Sequence, residues 1–293
     1  MLDKKYVTFY ARSSKVRLDV AERDVVLTYV LKALSEKVLP ALAFKGGTCL
    51  KKVCFGNTGR FSMDLDFTSC GMKVEELKSR LRQLLDNKTA YGIDFKILED
   101  HISTSPATIG KSYIAVVRYT HSWNAGSEFE LEVSYREEPV LPLQEPLLFD
   151  EMYFKFCEFP RFHIRCLQKE ELLAEKLRAA LQRIRSRDLY DLYLFSNRPF
   201  DKDLVKKLVV VKCWNAREPF NPRKLFGKIA NADYDSDDLQ QLVRRGDLPS
   251  QGTVTKTVVK EYTFLNDLDS QLLKIVQDSK AHRERQLVTR LIS

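Results

Sequence analysis

Asp64 and Asp66 stand in the stretch RFSMDLDF (60 to 67), two acids inside an apolar run. If that run is a β-strand, residues two apart project from one face, so the two carboxylates point together while Met63, Leu65 and Phe67 take the other face. Neighbouring acids repel unless something positive lies between them. A divalent cation answers that need, because Mg²⁺ favours one or two carboxylates completed by substrate phosphates. An edge strand with a solvated acidic face leaves the same D-x-D signature, so the surrounding residues must decide. Just upstream, KGGTCL (45 to 50) brings Gly46 and Gly47, which lack a Cβ and let a phosphate approach backbone N–H groups near a helix start.

Two later stretches add to the pair. In EFELEVSYRE (128 to 137), Phe129, Leu131, Val133 and Tyr135 alternate with Glu128, Glu130, Glu132 and Ser134, so one face carries a row of acids. Were this strand beside the first, one glutamate would complete a three-carboxylate metal site, and position selects Glu132. The remaining glutamates read as a solvent-facing surface. In the stretch 170 to 193, Leu172, Leu173, Leu177, Ala180, Leu181 and Ile184 form an apolar stripe and leave Lys176, Arg183, Arg187 and Asp188 on other faces. Asp188 and Asp191, three apart on the helical continuation, lie close together. Lys176 is placed to neutralise nucleotide phosphates, although a helix lysine is ordinarily a solvated one.

The elements that must position these residues follow from periodicity. Apolar residues recur at helical spacing from 16 to 42, ending at Pro40, and again from 74 to 85. Strand-like pieces span 92 to 98, 112 to 119 and 129 to 135. Pro139, Pro142 and Pro146 then punctuate the chain. Beyond residue 167 the pattern is helical: 168 to 196, 201 to 212, 221 to 229, 237 to 244 and 264 to 273. The fold class expected is α/β (α+β), an N-terminal core with a mixed sheet followed by a mainly α-helical C-terminal half.

The 293 residues suit one large domain or two moderate ones. Lys and Arg exceed Asp and Glu by 48 to 40, a net charge of +8 that favours a polyanionic partner. The six cysteines form no C-x-x-C pair, which argues against a zinc site or a secreted disulfide framework and for reduced thiols in a cytoplasmic protein. No stretch approaches the ~20 apolar residues of a membrane span, and the N-terminus has no signal-peptide core.

Taken together, KGGTCL, RFSMDLDF, the EVSYRE strand (132 to 137) and EKLRAALQRIRSRDLYDLY (175 to 193) resemble the AbiEii/AbiGii-type nucleotidyltransferase toxins, a branch of the polymerase-β-like nucleotidyltransferase superfamily. The resemblance covers roughly the central half of the chain. It implies a nucleotidyltransferase core domain at 1–150 and a helical domain at 151–293 that contributes Lys176 and Asp188. By position, Asp64, Asp66, Asp188 and Lys176 would be catalytic, and Asp64 and Asp66 with Glu132 would hold Mg²⁺ or Mn²⁺. Gly46, Gly47, Lys176 and Asp191 would bind the nucleotide, Arg187 would support Asp188, and the phosphate-contacting hydroxyl is either Thr48 or Ser62. The implied reaction transfers a nucleotide from an NTP to an acceptor hydroxyl, with the 3′ end of tRNA foremost, in a toxin-antitoxin or phage-defence module with a cognate antitoxin. Basic stretches at 206–214, 221–228 and 281–290 would contact RNA. The alternatives are a protein or small-molecule acceptor, or an inert binding module.

Overall fold

The computed structural model describes residues 2–104 and 110–292. Two helices open the chain, α1 (Lys4–Ser13) and α2 (Leu18–Leu34). Val25, Val26, Leu27, Val30 and Leu31 of α2 are all wholly buried, so this helix is apolar on nearly every side and runs through the core. A short strand β1 (Leu42–Lys45) follows, and then α3 (Gly46–Cys49), which continues into a π-helical turn (Leu50–Phe55). Next come β2 (Leu65–Ser69), α4 (Val74–Leu85), β3 (Lys88–Ala90), β4 (Ile93–Thr104), β5 (Lys111–His121) and β6 (Asn124–Ser134).

The strands form one mixed sheet in the order β1-β2-β6-β5-β4-β3, with β2 and β6 parallel and the other pairs antiparallel. Its centre is the β2–β6 pair, where Leu65 lies opposite Leu131 and Phe67 opposite Val133. These four side chains are fully buried, which turns the alternate residues of both strands to the opposite face.

Helices make up the second half: α5 (Lys169–Gln182), α6 (Ser186–Ser196), α7 (Lys202–Asn215), α8 (Pro222–Asn231), α9 (Asp237–Leu242), α10 (Gln251–Glu261), α11 (Ser270–Asp278) and α12 (Arg285–Ile292). The α+β class with its helical C-terminal half is therefore as expected. The two halves are knitted along β1, where the Phe44 N–H donates to the Arg165 carbonyl and the Leu167 N–H donates to the Phe44 carbonyl. No helix among the described residues is long and apolar enough to cross a membrane.

Three local expectations change. The helix expected over 16 to 42 stops at Leu34; Pro40 starts a 3₁₀ turn, Leu39–Ala41, and the apolar run after it pairs with β2 as β1. The helix expected as one piece from 170 to 193 is two, because Arg183 and Arg185 adopt extended backbone angles between α5 and α6. The last expected helix, 264 to 273, is a 3₁₀ turn (Thr263–Asn266) followed by α11, while α1, α10 and α12 had no expectation at all.

Candidate active site

Pleat geometry and register together place the acids. Asp66 lies directly opposite Glu132 across the parallel β2–β6 pair, and Lys45 lies opposite Asp66 on the β1 side. Asp64, two residues earlier, accepts a hydrogen bond from the Glu130 N–H at 3.1 Å. Asp64, Asp66, Glu130 and Glu132 thus share one wall of a cleft of about 290 Å³ whose opposite wall is α5 and the α5–α6 junction. The expected three-carboxylate cage is not preformed: among the described residues no three His, Cys, Asp or Glu side chains converge as metal ligands. Asp66 and Glu132 repel, and Glu132 leans to Arg136 at 3.7 Å.

The electrostatics of this wall are unbalanced. Burial, and after it the charge of Glu132, pushes the Asp66 carboxyl up to about 6 despite the nearby Lys45 and Lys176. Burial and the charges of Asp64 and Glu132 also raise Glu130. Such a wall suits a hard cation that takes two carboxylates and completes its shell with phosphate oxygens and water, so Asp64 and Asp66 fit Mg²⁺ or Mn²⁺.

Gly46 is required by contact, and Gly47 is closely hemmed in. A Cβ on Gly46 would fall 2.0 Å from the Asp66 Oδ2, and one on Gly47 would fall 2.8 Å from the Ser62 Oγ and from an Arg60 terminal nitrogen. The backbone of this loop is pressed against the acid strand, with Asp66, Ser62 and Arg60 filling the space where side chains would stand. Ser62 lines the cleft. Thr48 does not: it is buried, and its hydroxyl donates to the Asp64 carbonyl, which locks α3 to the start of β2. The two hydroxyls that the sequence left open are separated by this geometry, with Ser62 on the cleft and Thr48 behind it.

Across the cleft, the break between α5 and α6 folds Asp188 back beside Lys176. On a continuous helix residues twelve apart would be separated by about 18 Å. Here the Lys176 Nζ reaches the Asp188 Oδ1 at 3.0 Å and the Asp191 Oδ2 at 2.8 Å. Burial tends to lower Lys176, but Asp191 and Asp188 outweigh it and the ammonium is held above its usual range. Burial likewise opposes the Asp188 charge, and Lys176 with Arg183 more than offsets it, leaving the carboxyl well below the usual range.

Asp191 is 1% exposed and does not line the cleft; a bidentate grip from Arg60, two bonds of 2.8 Å, holds it from the other side. Arg60 thereby ties the acid strand to α6. The Arg187 side chain bonds Asp238 at 3.0 Å rather than supporting Asp188, whose oxygens are taken by Lys176 and Arg183. Glu130 and Arg183, to which the sequence assigned no role in the site, also line the cleft, as do Glu175 and Arg136. Glu175, immediately before Lys176, pairs with Lys45 at 3.6 Å and with Lys212 at 3.2 Å. Its position beside Lys176 was the one signal available.

The cleft sets paired acids and a glycine loop against a held lysine. The class is that of the nucleotidyltransferases. The family model "Nucleotidyl transferase AbiEii toxin, Type IV TA system" matches residues 30–251, and the chain belongs to that family. Among solved structures it is similar to MenT4, a nucleotidyltransferase toxin from Mycobacterium tuberculosis H37Rv, at a TM-score of 0.83 and 25% identity over 100% of this chain and 98% of that one. No curated protein matches the chain.

Proposed function

We propose that this nucleotidyltransferase transfers a nucleotide from an NTP to a hydroxyl at the 3′ end of tRNA, with Mg²⁺ or Mn²⁺ held by Asp64 and Asp66. The resulting growth arrest would be opposed by a cognate antitoxin, in a toxin-antitoxin or phage-defence setting. The observation that carries the reading is the buried Asp66 facing Glu132 in register, with the Gly46 backbone pressed against its carboxylate. That arrangement concentrates negative charge that Lys45 and Lys176 only partly offset and that a bound cation would relieve.

When bound, the metal offsets negative charge on the triphosphate as pyrophosphate leaves. The chain's own residues do the rest. Gly46 and Gly47 admit the phosphates to the backbone, and the Ser62 hydroxyl on the cleft wall donates to a phosphate oxygen. Lys176, held by Asp188 and Asp191, supplies fixed positive potential from beneath. Glu132 is part-exposed and faces the open side, where it can take the proton of the acceptor hydroxyl or support a second cation. Residues 1–150 supply the acids and glycines, and 151–293 supply Lys176, Asp188 and Asp191.

RNA as acceptor accords with the net charge of +8 and with Arg136, Arg183, Arg185 and Arg187 on the cleft lining. The basic stretch at 206–214 contributes less than its composition suggests, because Lys212 is 1% exposed and bonded to Glu171 at 2.7 Å. The test is to incubate the purified chain with each labelled NTP, Mg²⁺ and either total tRNA or lysate protein, beside Asp64→Ala. Label in tRNA that vanishes in the variant supports the reading, and label in protein moves the acceptor. No label under any condition, with no growth defect on expression, would sink it.

A further inference from the structure

The cations lining the cleft differ in what they are free to touch. Both oxygens of Asp191 hold Arg60, and Lys176 is shared between Asp188 and Asp191. Arg178 donates to Glu137 at 2.7 Å and to the Lys212 carbonyl at 3.1 Å, and Lys45 is paired with Glu175. Arg187 is paired with Asp238, Arg136 makes a 3.7 Å ion pair with Glu132, and Arg185 is exposed. Arg183 combines a fixed end with a free one. Its Nε donates to the Asp188 Oδ2 at 2.7 Å, its side chain is 50% exposed, and among the described residues its two terminal nitrogens have no hydrogen-bond partner. It lines the cleft within reach of the fields of Asp66 and Glu132, facing the acid wall.

Asp188 explains the posture. Its Oδ1 accepts from Lys176 and its Oδ2 from Arg183, and the residue is 2% exposed. Asp188 lines the cleft, but both of its oxygens are already engaged, which is poor placement for a metal ligand and good placement for a bracket. Arg183 opens the extended break between α5 and α6, so the bracket also fixes the backbone from which its guanidinium reaches out. A guanidinium pinned at Nε presents its remaining two donors as a fork, the shape that pairs with phosphate oxygens.

We infer that Arg183 grips the triphosphate of the incoming nucleotide, and that Asp188 is a positioning residue that aims it and holds Lys176 beneath it. The inference rests on the reading of the cleft as an NTP site. Arg183 completes the charge pattern there: phosphates lie between the acid wall, which calls for a cation, and a pre-aimed fork on the opposite wall. Lysine is a poor substitute, since one ammonium cannot hold Asp188 and a pair of phosphate oxygens at once.

The experiment uses the full chain with inorganic tripolyphosphate in Mg²⁺ buffer as the probe, followed by calorimetry, with tRNA binding measured in parallel. Wild type should bind the probe, and Arg183→Ala should weaken it at least about tenfold, with a clearly smaller loss of tRNA affinity and a chain that still folds, its melting temperature lowered only by the lost bond to Asp188. Arg183→Lys should recover only part of the loss. Asp188→Asn should weaken the probe too, but by less in the Arg183→Ala background than in wild type, because part of its effect runs through Arg183. If Asp188→Asn does not fold, Arg183→Ala and Arg183→Lys decide alone. Unchanged probe affinity in Arg183→Ala overturns the inference while leaving the NTP site standing, as does a loss confined to tRNA. Wild type that binds neither the probe nor any NTP overturns the reading of the cleft and the inference with it.

Discussion

Asp66 of β2 and Glu132 of β6 are directly opposed in a parallel pair, on a sheet face that also carries Asp64 and Glu130. The antiparallel neighbour β1 places Lys45 opposite Asp66 on the other side. The β2–β6 register nonetheless puts like charges together, and the Asp66 carboxyl is raised to about 6, by burial first and Glu132 second. Because its folded-state value exceeds that of an unfolded aspartate, the ionised form opposes folding. The penalty grows as pH rises from ~4 to 6 and is complete above that.

Asp66→Asn should therefore abolish nucleotidyl transfer yet stabilise the metal-free chain by about 1–2 kcal/mol at pH 7.5. Urea melts with a chelator present check this at two pH values. The gain should shrink near pH 5, where Asp66 is already largely protonated in the folded chain. A variant that is less stable than wild type at pH 7.5 would show that the pair is not strained.

Arg60→Ala should destabilise by about 3 kcal/mol, since it strips a two-bond partner from a carboxylate that is 1% exposed. Lys176 remains on Asp191 and keeps the loss from being larger. The double variant with Asp191→Asn should cost less than the sum of the two, a coupling that denaturant melts of all four chains will reveal. Additive losses would mean that the pair is not what joins the acid strand to α6.

Legibility of this site in the sequence tracks how local its causes are. Asp66 and Glu132 are readable because the two-residue period alone fixes their faces, and Gly46 and Gly47 because two glycines before an apolar run are conspicuous; Asp64 stands just before β2 and is held there by the Glu130 N–H. The break between α5 and α6 is not readable. No Gly or Pro marks it: Arg183, Ile184 and Arg185 are compatible with helix, and Asp188 meets Lys176 and Arg183 only in the folded chain. The strand β1 is hidden for the same reason, since its apolar residues continue the helix spacing and only β2 and the 165–167 segment show it to be extended. Helix α1 offered a local sign, Asp3, whose side chain accepts from the Lys5 N–H at its start.

Acid should unfold this chain early. Glu137 and Glu175 are buried, which opposes their charge, but Lys212 and Arg178, with Lys45 for Glu175, more than compensate and lower both carboxyls. Asp188 is lowered as well. Groups lowered in the folded state contribute stability that is full above their unfolded values near ~4 and is lost as pH falls through the folded ones. Stability should thus decline steeply once pH drops below about 5, and Glu175→Gln should flatten that decline while lowering stability at pH 7. A pH series of urea midpoints measures both; equal slopes in the two chains would exclude Glu175 as a source.

The glycine loop offers the sharpest separation of fold from function. Gly46 has φ +72°, and its missing Cβ would lie 2.0 Å from the Asp66 Oδ2. Alanine there meets backbone strain of about 1–2 kcal/mol and must also drive the Asp66 carboxylate from its place opposite Glu132. Gly47 has no left-handed strain, so alanine there disturbs only Ser62 and Arg60, each 2.8 Å from the new atom. Gly46→Ala should consequently lose activity by at least about a hundredfold and melt lower, whereas Gly47→Ala should keep most of its stability and show its defect as a raised KM for NTP. Gly227 is the control, for it lies within α8 with open space around it, and alanine there should stabilise by up to ~1 kcal/mol with activity unchanged. If Gly46→Ala transferred nucleotide at the wild-type rate, the close approach of this loop to Asp66 would have no part in seating phosphates.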